Sequence, residues 1–158
     1  MKFRIIAMAA AIALSIFSGN KVVAQKVSPD NIPTVVKSTF SEKFPNAAKA
    51  KWSMEEEDVF EVEFRQLGQK SSAKIEANGN FLESETNIKR SDLTVTVVQA
   101  LNTQFAGYKI EKTEKVTFPD GSVAYELEIE KGEQSLEVQF NADGKLLKKE
   151  EEKEEKED

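Results

Sequence analysis

Two kinds of apolar spacing alternate along the chain. Ile32, Val36, Phe40 and Phe44 recur every four residues, as do Leu93, Val97, Leu101 and Phe105, and that spacing places each set on one face of a helix. After each set the period drops to two. Phe60, Val62 and Phe64 alternate with Glu61, Glu63 and Arg65, while Leu136, Val138 and Phe140 alternate with Glu137 and Gln139; both are the pattern of a strand buried on one side. Asn78-Gly79 and Asp143-Gly144 predict tight turns, because both residue types accept positive φ, and Gly68 and Gly132 mark weaker ones. The first helix starts either after a Ser28 cap followed by Pro29 or at Pro33, and Ser91 is expected to cap the second.

The two stretches repeat one another. Laying Ile32 on Leu93 also brings Val36 onto Val97, Phe40 onto Leu101 and Phe44 onto Phe105. A slightly larger shift then lays Phe60 to Phe64 on Tyr125 to Ile129, Gln69 on Gln134, Ala77 on Ala142, Asn78-Gly79 on Asp143-Gly144 and Leu82 on Leu147. The shift grows because the second copy carries a longer turn, Phe118-Pro119-Asp120-Gly121-Ser122, where repeats tolerate insertion. A helix with one apolar stripe and a sheet with one apolar face can each bury that surface only against the other. The expected fold is therefore α+β: a tandem repeat of a helix plus four antiparallel strands, about 28–87 and 90–147, with the two helices packed on one face of a single antiparallel sheet. The other face is left to water.

The order of motifs carries a resemblance. Phe40, Lys43, Phe44, Pro45, Ala47 and Trp52, then the alternating strand Phe60 to Phe64, then Asn78-Gly79, resemble the β-lactamase-inhibitor-like, PepSY-like family of exported bacterial proteins, over about residues 30–148. The resemblance implies a tandem repeat of helix and antiparallel sheet, as in the β-lactamase inhibitor proteins, and a periplasmic location; it implies no activity. Related PepSY domains are regarded as inhibitors or chaperone-like segments of peptidases. The second copy departs from the pattern, with Thr94 in place of Pro33, Ala106-Gly107-Tyr108 in place of Pro45-Asn46-Ala47, and no tryptophan. Inhibitor proteins of this shape are stapled by disulfides and this chain has no cysteine, so β-lactamase inhibition carries over on no residue.

The ends extend the picture. Lys2 and Arg4 precede an apolar run from Ile5 to Phe17, then a polar stretch and Val22-Val23-Ala24. The run is short for a bilayer, which takes roughly 20 residues, and the whole reads as an export signal over 1–24, cleaved near Ala24. The domain expected to follow spans 25–147. Residues 148–158, KKEEEKEEKED, hold nothing apolar and are expected to form a disordered charged tail.

Composition narrows the chemistry. With no histidine and no cysteine, the chain lacks the usual general base, thiolate ligands and every Ser/His or Cys/His pair. The formal net charge is -6, and the three bases lost with residues 1–24 take it to -9, which disfavours nucleic acid as a partner. Glu55, Glu56, Glu57 and Asp58 cluster without the spacing or glycine of a calcium loop and read as a solvated turn. Trp52 shares a side with Ala50 and Met54 and is expected in the core; partly exposed, it would instead be a candidate anchor for a partner. No catalytic, cofactor-binding or metal-ligating residues are expected, and the protein is not read as an enzyme. The remaining candidate is the wet sheet face, presenting Glu61, Glu63, Lys74, Glu126, Glu128, Glu130, Glu137 and Gln139, whose acidic half suits a basic partner. The expected function is a non-enzymatic periplasmic module that binds a protein or peptide, with no stable membrane insertion after signal cleavage. An inhibitor or folding aid of an exported hydrolase or peptidase, and a structural envelope protein, are the alternatives.

Overall fold

A computed structural model describes residues 25–152 of the chain. The export signal expected over 1–24 and the last six residues, 153–158, lie outside the described residues. A short strand β1 (Gln25–Val27) leads through a 3₁₀ turn to helix α1 (Thr34–Lys43), followed by β2 (Ala48–Glu56), β3 (Val59–Gln66), β4 (Gln69–Glu76) and β5 (Phe81–Asn87). A second 3₁₀ turn precedes α2 (Val95–Gln104), and β6 (Lys109–Thr117), β7 (Val123–Lys131), β8 (Gln134–Asn141) and β9 (Leu146–Glu152) complete the chain. The nine strands form one sheet in chain order, every neighbouring pair antiparallel.

Each helix buries its four-spaced stripe on the sheet. Val36 and Phe40 of α1 pack with Phe60, Val62, Phe64, Ala73 and Ile75, and Trp52 belongs to the same cluster. Val97 and Leu101 of α2 pack with Leu127, Ile129, Leu136, Val138 and Phe140. Cross-strand register shows that the two clusters share one face of the sheet. Phe64 lies opposite Ser71, Ser71 opposite Thr86, Thr86 opposite Lys115, Lys115 opposite Tyr125 and Tyr125 opposite Phe140, and side chains directly opposite point the same way. Phe140, Ile75, Leu127, Ile129 and Leu136 are the largest of the side chains that water does not reach, and each contributes roughly 1.5–3 kcal/mol relative to exposure.

Three expectations change at the element ends. Thr94, not Ser91, caps α2: its Oγ1 accepts from Val97 N–H at 3.3 Å, while Ser91 lies in the preceding 3₁₀ turn. The helix begins where a side-chain oxygen can reach its free N–H groups, which Ser91 is too far upstream to do. At α1 the start at Pro33 holds to within one residue, with Pro33 at the N-cap position, while Ser28 makes no side-chain cap and Pro29 opens a separate 3₁₀ turn. Finally, residues 148–152 are not a disordered tail. They lie in β9, paired with β8 from Phe140↔Leu146 to Ser135↔Glu152, because β8 offers an edge whose N–H and C=O groups need partners whatever side chains the incoming strand carries.

Candidate binding face

The second face of the sheet carries no helix among the described residues, yet it is far from fully wet. One row across it reads Glu63, Ser72, Glu85, Val116 and Ala124, and the next Asn87, Glu114, Glu126, Gln139 and Lys148. Val116 and Ala124 are fully buried there and Glu114 is only 8% exposed. A hollow of about 340 Å³ opens over the face, lined by residues of β2 to β6.

Three lysines organise the acids. Lys74 Nζ lies 3.3 Å from Glu55 and from Glu83 and 3.6 Å from Glu85. Lys112 lies 3.1 Å from both Glu114 and Glu128, and Lys148 lies 2.9 Å from Glu137 and 3.4 Å from Glu150. Ser72 Oγ donates to Glu85 at 3.1 Å, and Gln139 Nε2 donates to Glu126 at 3.2 Å. Burial works against the charge of each lysine, but the surrounding carboxylates outweigh it and hold all three ammonium pKa values above their ordinary value.

Between the lysines, carboxylates crowd one another. Glu85, Glu114 and Glu126 each bring an oxygen within 4.8 Å of the others, at the junction of β5, β6 and β7. Burial, and then the nearby charges of Glu137 and Glu85, push Glu126 up to about 8 against the pull of Lys148 and Lys74. Burial and Glu55 push Glu61 to about 7, and burial raises Glu114 despite Lys112. At pH 7 a carboxyl with a pKa of about 7 is half protonated and one of about 8 mostly so, so Glu61 and Glu126 carry less negative charge than their formula suggests. Three carboxylates at this spacing are hard oxygen donors of the kind a divalent cation takes. Here each already has a hydrogen-bond or ion-pair partner, and protonation relieves their repulsion.

All eight residues expected on the wet face lie on it. Glu61, Lys74, Glu126, Glu128, Glu137 and Gln139 converge on its middle. Glu63 is exposed opposite Lys51, and Glu130 is exposed opposite Lys109 at the far end of β7. Sequence reasoning missed Glu55, Glu83, Glu85, Lys112, Glu114, Lys148 and Glu150. Glu83 and Glu85 were within reach, since Glu83-Ser84-Glu85-Thr86 continues the same alternation. Lys112 and Glu114 were hidden by a register shift between Ile110 and Lys112 and by Val116, an apolar residue on the polar face. Glu55, expected in a solvated turn, instead lies near the end of β2 and reaches Lys74; the turn itself is Glu57 and Asp58, with Asp58 at φ +65°.

No protein-family model matches the chain, and no curated protein matches it. Solved structures do. A protein from Bacteroides eggerthii, provisionally named as periplasmic, superimposes with a TM-score of 0.68 at 16% identity over 75% of this chain and 88% of that one. A DUF2874 family protein from Bacteroides uniformis gives 0.67 at 15% identity, with the same coverage of both chains. A BLIP-like protein from Bacteroides fragilis gives 0.63 at 20% identity over 75% of this chain and 86% of that one. The likeness is one of fold. Among the described residues no helix is long and apolar enough to cross a membrane.

Proposed function

We propose that this protein is a non-enzymatic binding module of the periplasm, exported by residues 1–24 and cleaved near Ala24, that seats a protein or peptide on the helix-free face of its sheet. The single observation that carries the reading is the hollow in that face, about 340 Å³ and lined by charged side chains from several strands. Polar groups arrayed over a broad hollow suit the recognition of a polypeptide, which offers backbone donors and acceptors along its length. The fold shared with a protein provisionally named as periplasmic supports the location.

In this reading the domain, residues 25–147 with β9 running on to 152, is a duplicated PepSY-like unit. Supporting the duplication, β4 shifts register between Lys74 and Ile75 and β8 shifts between Gln139 and Phe140, and the alignment that lays Phe60 on Tyr125 lays these two sites on each other. Bulges are retained features of a fold, so their recurrence at matched positions favours copying over coincidence.

The test is capture from a periplasmic extract on immobilised wild-type protein and on a variant changed in both halves of the face, Lys51→Gln/Lys70→Gln/Glu126→Gln/Glu128→Gln/Glu137→Gln, read by mass spectrometry. A partner retained by the wild type, released by salt and lost from the variant supports the reading; an identical set on both surfaces removes the face from it. The likeness to a BLIP-like protein favours a narrower second reading, an inhibitor or folding aid of an exported hydrolase. Its check is whether the captured partner is such an enzyme and loses activity on titration with the protein.

A further inference from the structure

The lysines of the helix-free face fall into two groups. Lys74, Lys112 and Lys148 are each held by two or three carboxylates, as described above. Lys49, Lys51 and Lys70, which line the hollow together with Arg65, make no hydrogen bond or ion pair among the described residues. Arg65 reaches only the Gly68 carbonyl oxygen, at 3.4 Å. Four exposed cations therefore gather at one corner of the hollow without a carboxylate in ion-pair reach among the described residues.

The fold does not require this corner. Arg65 and Lys70 lie directly opposite each other across β3 and β4, a like-charged pair that disfavours the strand pairing it sits in. The matching position beside the β7–β8 hairpin is occupied by Glu130 opposite Ser135, so the same local structure forms without cations. Lys49 is brought to the hollow by an irregularity in β2, between Ala48 and Lys51, where its backbone sits at φ +60°, a conformation unfavourable for a residue with a side chain. A like-charged pair and a strained lysine, converging on one hollow, are local conflicts of the kind that mark functional sites.

We infer that this corner, formed by Lys49, Lys51, Arg65 and Lys70, binds the carboxylates of an acidic peptide segment of another protein. This rests on the peptide-binding reading above and reverses the charge of the partner that the acidic half of the face suggested, because Glu126, Glu128 and Glu137 already have Gln139, Lys112 and Lys148 beside them. A peptide fits the rest of the lining. Glu61 and Glu63, which also make no hydrogen bond or ion pair among the described residues, and the Ser72 hydroxyl stand beside the cations and can accept backbone N–H groups. Phosphate offers these acids no such row of N–H donors.

The test uses the full chain and a fluorescein-labelled Glu-Ser-Glu-Ser-Glu-Ser peptide, followed by fluorescence anisotropy, with Lys-Ser-Lys-Ser-Lys-Ser as the opposite-charge probe and inorganic phosphate as competitor. The acidic peptide is expected to bind, to weaken between about 50 and 300 mM salt, and to lose about tenfold in affinity to a Lys49→Gln/Lys51→Gln/Lys70→Gln variant. All three side chains are exposed, and an unchanged circular dichroism spectrum verifies the fold. A Lys51→Glu/Lys70→Glu variant is expected to take up the basic peptide instead. Absence of acidic-peptide binding, equal binding by the triple variant, preference of the wild type for the basic peptide, or full displacement by phosphate at matched charge each overturns the inference. If partner capture from extract depends on Glu126, Glu128 and Glu137 but not on these lysines, this inference falls while the binding module stands.

Discussion

Gly144 and Gly79 occupy the same kind of turn, φ +80° and +91°, but a side chain added at each meets different neighbours. A Cβ on Gly144 would lie 2.6 Å from the Thr96 carbonyl oxygen, a backbone atom that moves only with its helix; on Gly79 it would lie 2.5 Å from a Val35 methyl group, which can rotate. Both Gly→Ala variants are expected to destabilise by about 1–3 kcal/mol through positive φ and overlap, Gly144→Ala more than Gly79→Ala, as read by urea denaturation. Leu67 shows the opposite case. It is 88% exposed and held at φ +51° in a two-residue hairpin turn, a position that suits Asn followed by Gly. Leu67→Asn is therefore expected to raise stability by up to about 1 kcal/mol, and a lower denaturation midpoint would contradict that account. The glycine turns could be read from the sequence because Asn-Gly and Asp-Gly carry their own backbone preference. Leu67 could not, because leucine has no such preference and the turn is imposed by the strands on either side.

At the scale of elements, the two helices are anchored differently. Thr94 caps α2, and Thr94 and Thr96 both donate to the Ala142 carbonyl oxygen, at 3.1 and 2.7 Å. Helix α1 has no side-chain cap and ties to the sheet turn through Thr39 Oγ1, which donates to Gly79 O at 2.9 Å. It depends more on aromatic packing, with Phe40 5.4 Å from Trp52, 5.1 Å from Phe64 and 5.6 Å from Phe44, centroid to centroid. Thr94→Ala is expected to cost about 0.5–2 kcal/mol and Phe40→Ala about 3–5 kcal/mol. Near-equal losses in thermal unfolding would show that α1 is not held mainly by its rings. Helix positions followed from the four-residue spacing, since burial of a stripe is a local pattern. Which threonine caps α2 depends on where the turn after β8 comes to lie.

Across the whole molecule, pH acts through the helix-free face. Glu126 keeps its proton up to about 8 in the folded protein and releases it near its ordinary 4.5 when unfolded, and Glu61 behaves alike with a value of about 7. Between those limits the folded state binds more protons, so their contribution to stability is complete below about 4.5 and is lost as pH rises through 7 to 8. The groups facing Glu126 are Glu137, Glu85, Glu114, Lys148, Lys74 and Gln139, and the lysines stay charged throughout this range. The unfolding temperature is expected to fall between about pH 5.5 and 8.5, and Glu126→Gln, which keeps a polar side chain beside Gln139 without the charge, to flatten that fall. A slope unchanged in the variant would place the titration elsewhere.

The alternation of apolar and polar residues by itself determined the helices, most of the strands and the side of the sheet on which each candidate residue stands, because those properties depend on neighbours two to four positions away. Tertiary structure alone decided that β9 continues through a run of charged residues, that Val116 sits on the polar face, and that Glu85, Glu114 and Glu126 meet. Each of those depends on pairing between strands far apart in sequence. It also decided which charges are answered: Lys74 and Lys70 lie on the same strand, yet carboxylates from β2 and β5 surround the first and, among the described residues, none reaches the second. A residue's charge is written in its chemistry, but the charge left over for a partner depends on what the fold has placed beside it.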